Sequence, residues 1–216
     1  MVKLGRIERE VVGCRRCPRL VVWREKVGRE KRRAYADEEY WAAPVPGFGD
    51  ASARIFILGL APAAHGANRT GRVFTGDRSG DWLFAALYRA GMATQPTSEH
   101  RGDGLALSDV FVTAAVKCAP PDNKPLISER DNCHPWARDE LRAMRSARVI
   151  LCLGGFAWNQ ALKLLADLGH PWTSPKPRFG HGAEVRIGPY TILGSYHPSQ
   201  QNTFTGRLTE DMLDGI

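Results

Sequence analysis

Four short segments of the chain are almost continuously apolar, and helical patterns lie between them. Such apolar runs are typical of strands covered on both faces of a sheet. They span residues 54–60 (RIFILGL), 110–116 (VFVTAAV), 148–154 (RVILCLG) and 190–196 (YTILGSY). The helical patterns span residues 81–90, 137–144 and 156–168. The alternation predicts an α/β fold with a mainly parallel four-stranded sheet covered by helices on both faces.

Polar loops follow three of the four predicted strands. They are rich in Gly, Pro, His and Asn, and they begin at Gly59, Lys117 and His197. Ligands of open α/β sheets bind beyond the carboxyl ends of the strands. The three loops are therefore expected to converge on one edge of the sheet and to form the functional site there.

Length and composition indicate a single domain over residues 1–216. The chain is 43% hydrophobic, which is enough for one sizeable core and too little to suggest several independent domains. No run of about 18 apolar residues occurs, and the N-terminus lacks an apolar signal stretch. We therefore expect no membrane span and a cytoplasmic location. The protein is also expected to be a monomer.

The charge balance is basic. Thirty Lys and Arg residues stand against 23 Asp and Glu, giving a formal net charge of +7 and a pI near 9.4. This excess suits a polyanionic partner such as nucleic acid. A solvated basic surface without such a partner would have the same composition.

Five cysteines in a reducing compartment indicate metal binding or redox chemistry rather than a disulfide framework. Cys14 and Cys17 form a C-x2-C knuckle, whereas Cys118 follows a predicted strand and Cys133 lies just before a predicted helix. Four thiolates can hold zinc or a four-iron four-sulfur cluster, and the wide second pair favours the cluster without deciding it. Cys118 and Cys133 could instead be ordinary buried residues. Cys152 is expected in the core.

Three loop segments and the four cysteines together carry a specific resemblance. The segments are GLAPAAHGANRTGRVFTGDRSG from Gly59, VKCAPPDNK from Val116 and HPSQQNTFTGR from His197. In combination, the chain resembles the uracil-DNA glycosylase superfamily, most closely its family five, the thermophile-associated type b enzymes. The resemblance implies a structural four-iron four-sulfur cluster, two of whose ligands come from about the first 50 residues. The implied ligands are Cys14, Cys17, Cys118 and Cys133.

The resemblance also implies roles around a flipped base. Phe74 would stack on the base and Asn123 would read its pairing edge. His197 would donate a hydrogen bond to the departing base as negative charge accumulates on it. Small residues of the first loop, Gly59 and Ala61 among them, would leave room for bases beyond uracil, including hypoxanthine. Without these roles, Phe74 would be a core aromatic, Asn123 a turn residue and His197 an ordinary loop histidine.

The acid that positions water in the broader superfamily is missing, since Leu60 and Ala61 occupy its place. Either another residue handles the water, or an oxocarbenium ion forms first and the water needs little activation. Asp77 is the nearest substitute and could stabilise the sugar cation or orient water. An Asp before a helix is also a common helix cap, so both interpretations stay open.

Polar residues of the first and third loops are predicted to contact DNA, through phosphates or the space left by the flipped nucleotide. A polar surface loop without a ligand would carry the same side chains. The predicted contacts are His65, Asn68, Ser199, Gln201 and Asn202.

The sequence thus predicts a monofunctional DNA glycosylase that hydrolyses the N-glycosidic bond of uracil and related deaminated bases. DNA containing these bases is the expected partner, and no matched motif places a lysine for strand cleavage. One alternative is a non-catalytic zinc-binding nucleic-acid module. Another is a family member whose base release has been lost or redirected to a different lesion.

Overall fold

The computed structural model describes residues 3–216 of the chain; Met1 and Val2, which belong to the predicted domain of residues 1–216, lie outside that range. Within it, six strands form one sheet. The strands are β1 (Phe48–Gly49), β2 (Ile55–Gly59), β3 (Val110–Ala114), β4 (Val149–Leu153), β5 (Glu184–Ile187) and β6 (Tyr190–Ser195). Their order across the sheet is β1-β3-β2-β4-β6-β5.

The four predicted strands are β2, β3, β4 and β6, and they pair in parallel. The prediction of a four-stranded sheet is incomplete, because β1 and β5 add antiparallel edges. Neither edge strand carries an apolar run in the sequence. The first is two residues long, and three of the four residues of β5 are exposed or half-buried. The finding is a mixed six-stranded sheet with a parallel centre.

Eight α-helices lie within the described range. They are α1 (Leu4–Val12), α2 (Pro18–Glu30), α3 (Ala67–Thr70), α4 (Arg78–Arg89), α5 (Ile127–Ala143), α6 (Gly155–Asp167), α7 (Gln200–Phe204) and α8 (Glu210–Asp214). Short 3-10 turns form at Arg33–Tyr35 and Pro121–Asn123. None of the helices in this part of the chain has the length and apolar character that a membrane crossing requires.

Helix α5 begins about ten residues earlier than the sequence pattern predicts. The Glu129 carboxylate accepts a hydrogen bond from the Leu126 N–H at 2.7 Å, which satisfies a donor at the start of the helix. Pro135 lies inside the helix and does not end it. The expectation that Cys133 precedes the helix is therefore wrong, since Cys133 lies within it.

Helices cover both faces of the sheet, as predicted. Adjacent residues of β2 point to opposite faces: Phe56 packs toward Trp158 of α6, and Ile57 packs toward Phe84 of α4. All four side chains are at most 1% exposed. Burying one such side chain contributes about 1.5–3 kcal/mol, so the two apolar layers hold the sheet between the helices.

The carboxyl ends of the parallel strands meet at one edge. Gly59 at the end of β2 is in register with Ala114 at the end of β3, and the Ala115 N–H donates to the Gly59 carbonyl at 3.0 Å. The Gly154 N–H after β4 donates to the Ser195 carbonyl of β6 at 2.8 Å. The loops that follow these strands consequently start side by side.

A buried ion pair anchors the loop that follows β3. The Lys117 ammonium, 1% exposed, contacts both carboxylate oxygens of Glu140 on α5 at 2.7 and 2.9 Å. It also donates to the hydroxyl of Thr113. Breaking one partner of a buried pair is strongly destabilising because the other charge is left uncompensated, so this pair fixes the loop against α5.

Candidate active site and cysteine group

Phe74 and His197 lie together at the carboxyl edge of the sheet. Their rings are stacked, with centroids 5.8 Å apart and planes inclined by 29°. Gly59 lies directly beneath Phe74, because a Cβ at this glycine would approach the Phe74 ring to 2.6 Å. A Cβ on Gly80 would approach the Phe74 carbonyl oxygen to 1.9 Å. Two glycines therefore allow the close packing that holds the aromatic ring in place.

The backbone of His197 is fixed by its own loop. Its carbonyl oxygen accepts hydrogen bonds from the Ser199 N–H and from the Asn202 side-chain amide, both at 2.8 Å. Burial lowers the pKa of His197 to about 4. The imidazole is therefore neutral near pH 7, and its ring nitrogens make no hydrogen bond to another residue of the described chain. A neutral imidazole can still donate one N–H.

Asp77 caps α4 and contacts the first loop as well. One carboxylate oxygen accepts hydrogen bonds from the N–H groups of Ser79 at 2.9 Å and Gly80 at 3.3 Å. The other oxygen lies against Gly66, where a Cβ would approach it to 2.0 Å. Burial raises the pKa of Asp77. The capping interpretation is thus confirmed, and the second oxygen still faces the loop where the missing acid would lie.

Asn123 lies on the loop that follows β3. It ends the 3-10 turn after β3, is exposed, and has a left-handed backbone with φ of 56°. Within the described chain its side-chain amide makes no hydrogen bond, so donor and acceptor are both free for a ligand. Ala61 is half-buried and packs against the cysteine group described below.

The residues predicted to contact DNA fall into two sets. Gln201 is exposed and Ser199 is half-buried, so both are accessible at the start of α7. The other three form internal hydrogen bonds: Asn202 supports the His197 carbonyl, and His65 bonds to the Tyr40 hydroxyl at 3.0 Å.

Asn68 is not positioned for the predicted DNA contact. It is completely buried, and its amide donates to the carbonyl of Arg24 at 3.3 Å and to that of Ala64 at 3.4 Å. Its role in this structure is internal, joining the first loop to α2.

Two residues beside the site were missed in the sequence. Phe204 on α7 is 66% exposed, and the Arg78 guanidinium lies over its ring, 4.8 Å from the centroid. An apolar residue in the otherwise polar segment QQNTFTGR was the available signal. An exposed aromatic next to a cation at the edge of a site suits stacking on a nucleic-acid base.

Four cysteines from three segments pack into one group, in which Cys14 is half-buried and the other three are buried. Cys14 and Cys17 come from the turn before α2, Cys118 from the loop after β3, and Cys133 from α5. They pack against five buried apolar side chains, those of Ile7, Val11, Leu20, Val116 and Trp136. The clustering of all four is not expected if Cys118 and Cys133 were ordinary core residues, each buried among its own neighbours.

Burial raises the pKa of Cys118 to about 11 and that of Cys133 to about 12. Nearby thiols add to both shifts, Cys17 among them, because neighbouring thiolates repel one another. Hydrogen bonds to sulfur oppose the rise: the Lys117 N–H donates to Cys133 at 3.4 Å, and the Arg24 guanidinium donates to Cys118 at 2.9 Å. Thiolates in this group therefore need cations beside them, which metal ions supply.

The described residues contain no group of three or more His, Cys, Asp or Glu side chains arranged to hold a single metal ion. Cys152 is separate from the cysteine group. It is completely buried in β4 among the core side chains, as the sequence predicted.

Comparisons with known proteins place these features in a family. The model of the Uracil DNA glycosylase superfamily matches residues 46–216. A "Type-5 uracil-DNA glycosylase" of Mycobacterium tuberculosis is 57% identical over 205 residues, covering 94% of this chain and 75% of that protein. A protein of the same name from Thermus thermophilus is 50% identical over 209 residues, covering 94% and 90%. A "Type-4 uracil-DNA glycosylase" of Archaeoglobus fulgidus is 29% identical over 200 residues, covering 92% and 83%.

Proposed function

Because the chain belongs to the uracil-DNA glycosylase superfamily and to its type 5 members, we propose that it removes uracil from DNA by hydrolysing the N-glycosidic bond. The family resemblance carried by the loop motifs is confirmed. The stacked pair of Phe74 and His197 over Gly59, at the carboxyl edge of the sheet, is the observation that carries the assignment to this site. It offers a π-face and a hydrogen-bond donor next to each other.

An extruded base would stack on Phe74 and present its pairing edge to Asn123. Glycosylases must take their target base out of the duplex and read it by stacking and edge hydrogen bonds. The free amide of Asn123 has one acceptor and two donors, which matches the mixed edge of uracil. Its exposed position on the loop after β3 allows it to close over the base when DNA binds.

His197 would stabilise the leaving base. As the glycosidic bond breaks, negative charge accumulates on the base, and a donor placed at a carbonyl oxygen stabilises that charge. The low pKa of His197, caused by burial, keeps the ring neutral. Neutrality suits the task because the imidazole already donates one N–H and does not need to be protonated beforehand.

Asp77 would act on the sugar side of the bond. Its cap hydrogen bonds hold one oxygen in place, so the second oxygen has a fixed position against Gly66. An ionised carboxylate there stabilises an oxocarbenium-like sugar or orients water. Asp77 would in this way replace the acid absent at Leu60 and Ala61.

The reaction is proposed to stop at base removal. Strand cleavage by a glycosylase requires an amine that attacks the sugar. Of the two lysines in the loop after β3, Lys117 and Lys124, the first has an ammonium that is fully buried and held by Glu140. An amine held in this way is not available to the sugar.

The four cysteines are proposed to hold a structural four-iron four-sulfur cluster. The thiols fit such a group because they converge in one apolar region and receive hydrogen bonds from Arg24, Lys117 and Asn132, as sulfur ligands of clusters do. When bound, the cluster would cross-link α2, the loop after β3 and α5. The proposed ligands are Cys14, Cys17, Cys118 and Cys133.

DNA is proposed to lie across the edge that carries α7. Gln201 and Ser199 are accessible there, and Phe204 with Arg78 adds an exposed aromatic and a cation. Side chains of this kind bind phosphates or stack on bases next to a flipped nucleotide. We further propose weak discrimination among deaminated bases, because the first loop near Ala61 has small side chains.

A panel of deaminated-base oligonucleotides tests the activity. Purified protein is incubated with duplexes containing uracil, hypoxanthine or xanthine, and alkali then reveals abasic sites. We expect cleavage after alkali and none without it. DNA binding with no alkali-sensitive product would refute the activity.

Metal analysis separates the zinc module from the cluster enzyme, since the first predicts a colourless protein with zinc and the second a brown protein with iron and sulfide.

A further inference from the structure

Arg24 on α2 is a buried cation without a carboxylate partner. The residue is only 2% exposed. The adjacent acid, Glu25, pairs instead with Arg15 at 2.6 Å, and no carboxylate in residues 3–216 forms an ion pair with Arg24. A buried charge is costly unless it is paired and hydrogen-bonded. Its compensation must therefore come from other groups.

All hydrogen bonds of the Arg24 guanidinium go to the cysteine group. One terminal nitrogen donates to the Cys118 sulfur at 2.9 Å, and both terminal nitrogens lie 3.4 Å from the Cys14 carbonyl oxygen. The remaining N–H, at Nε, is buried and has no partner in the protein. A neutral thiol would not compensate the guanidinium, whereas a thiolate would.

We infer that Arg24 is the counter-charge of the iron-sulfur cluster, donating to the Cys118 thiolate and raising the reduction potential of the cluster. The inference rests on the proposed function, in which the cysteines hold that cluster. A buried positive charge stabilises the more negative, reduced state of a cluster, because hydrogen bonds to sulfur and local charge set its potential. Arg24 is a positioning and tuning residue and does not touch the substrate.

The same residue joins the cysteine group to the base pocket. The Arg24 carbonyl accepts a hydrogen bond from the buried Asn68 amide at 3.3 Å, and that amide also contacts the Ala64 carbonyl at 3.4 Å. The backbone carbonyl of Asn68 in turn accepts a hydrogen bond from the Ala42 N–H at 3.0 Å. The first loop is therefore hydrogen-bonded to α2, the helix that carries Arg24.

The test compares the holoenzymes of wild type, Arg24→Met and Arg24→Lys. Methionine keeps similar length without charge, and lysine keeps the charge without the fork of donors. Arg15→Gln is the control, because it removes a cation from the same knuckle at an exposed site already paired with Glu25. Iron and sulfide per chain and the reduction potential by anaerobic spectroelectrochemical titration are measured. We expect a lower potential in Arg24→Met, an intermediate value in Arg24→Lys and an unchanged value in the control.

Full iron with wild-type potential in Arg24→Met would overturn the inference. If Arg24→Met fails to fold or lacks iron, Arg24→Lys decides: retained iron supports the need for charge, whereas loss of iron in both variants assigns Arg24 a packing role and overturns it. A wild-type protein that contains no iron would refute the cluster itself, which is a separate outcome.

Discussion

The ring of Phe74 lies against the imidazole of His197, with centroids 5.8 Å apart, although the two residues are 123 positions apart in the chain. Phe74 follows the first loop and His197 follows the last strand of the parallel set, so the sheet alone brings them together. The pair places a stacking surface next to a hydrogen-bond donor. The Phe74 ring packs so closely on Gly59 that there is no space for a Cβ at that position.

Gly59→Ala is expected to displace the Phe74 ring, because the added Cβ would approach it to 2.6 Å. We expect base release to slow by about 10- to 100-fold, the scale of small misplacements in an active site. Single-turnover rates on a uracil duplex measure the effect. Gly180→Ala is the matched control, since its Cβ would meet only Ala183 at 3.7 Å. In a Phe74→Ala background, Gly59→Ala should cause no further decrease in rate. A further decrease there would contradict the proposed contact.

His197→Ala is expected to slow the chemical step by on the order of 10²-fold or more, the scale of losing one well-placed donor to a developing anion. Asp77→Asn should cost less. It preserves the cap of α4, because Asn caps helices about as well as Asp, and removes only the charge. Single-turnover rates at saturating enzyme prevent weaker DNA binding from resembling slower chemistry. A larger loss at Asp77 would mean that cation stabilisation or water positioning limits the reaction.

The pH dependence of the rate should report Asp77. Burial raises its pKa, so as pH falls the carboxylate is protonated at a higher pH than an ordinary Asp. If the ionised form acts, the rate decreases on the acid side at a higher pH than an ordinary Asp would give. His197, with a pKa of about 4, is mostly neutral above that pH. The Asp77→Asn profile should be flat there, and an acid limb that persists in this variant would belong to another group.

Asn123→Asp is expected to reduce release of uracil more than release of hypoxanthine. A carboxylate lacks the amide donors that the pairing edge of uracil requires. The left-handed backbone at this position is accessible to both Asn and Asp, so the loop should keep its shape. Rates on the two substrates are compared with those of Asn123→Gly. Equal losses on both bases would indicate a defect in loop geometry.

Cys17→Ala is expected to bleach absorbance at about 400 nm and to lower the melting temperature, because one iron loses its ligand. Cys152→Ala is the control. That thiol is also buried but lies in β4, outside the cysteine group, so the variant should keep its iron. Full iron and colour in Cys17→Ala would remove Cys17 from the ligand set.

Several features of this protein follow from its sequence alone. Four apolar runs of seven residues each predict strands buried on both faces, and they contain β2, β3, β4 and β6. The edge strands β1 and β5 carry no such run, so only the paired backbone defines them.

The loop motifs likewise identified the family, because they combine residues whose chemistry is rarely found together. The motifs could not reveal the environment of each side chain. Asn68 and Gln201 look alike as polar loop residues, yet one is completely buried against Arg24 and the other is exposed.

Burial and charge compensation were decided only by the tertiary structure. Arg24 looks like any basic residue in a charged helix until Cys118 and Asn68, from two distant segments, form hydrogen bonds with it. The pKa of His197 depends in the same way on packing that the sequence does not specify. Sequence patterns encode periodicity and local turn chemistry, whereas the electrostatics of a site depend on which distant atoms exclude water from it.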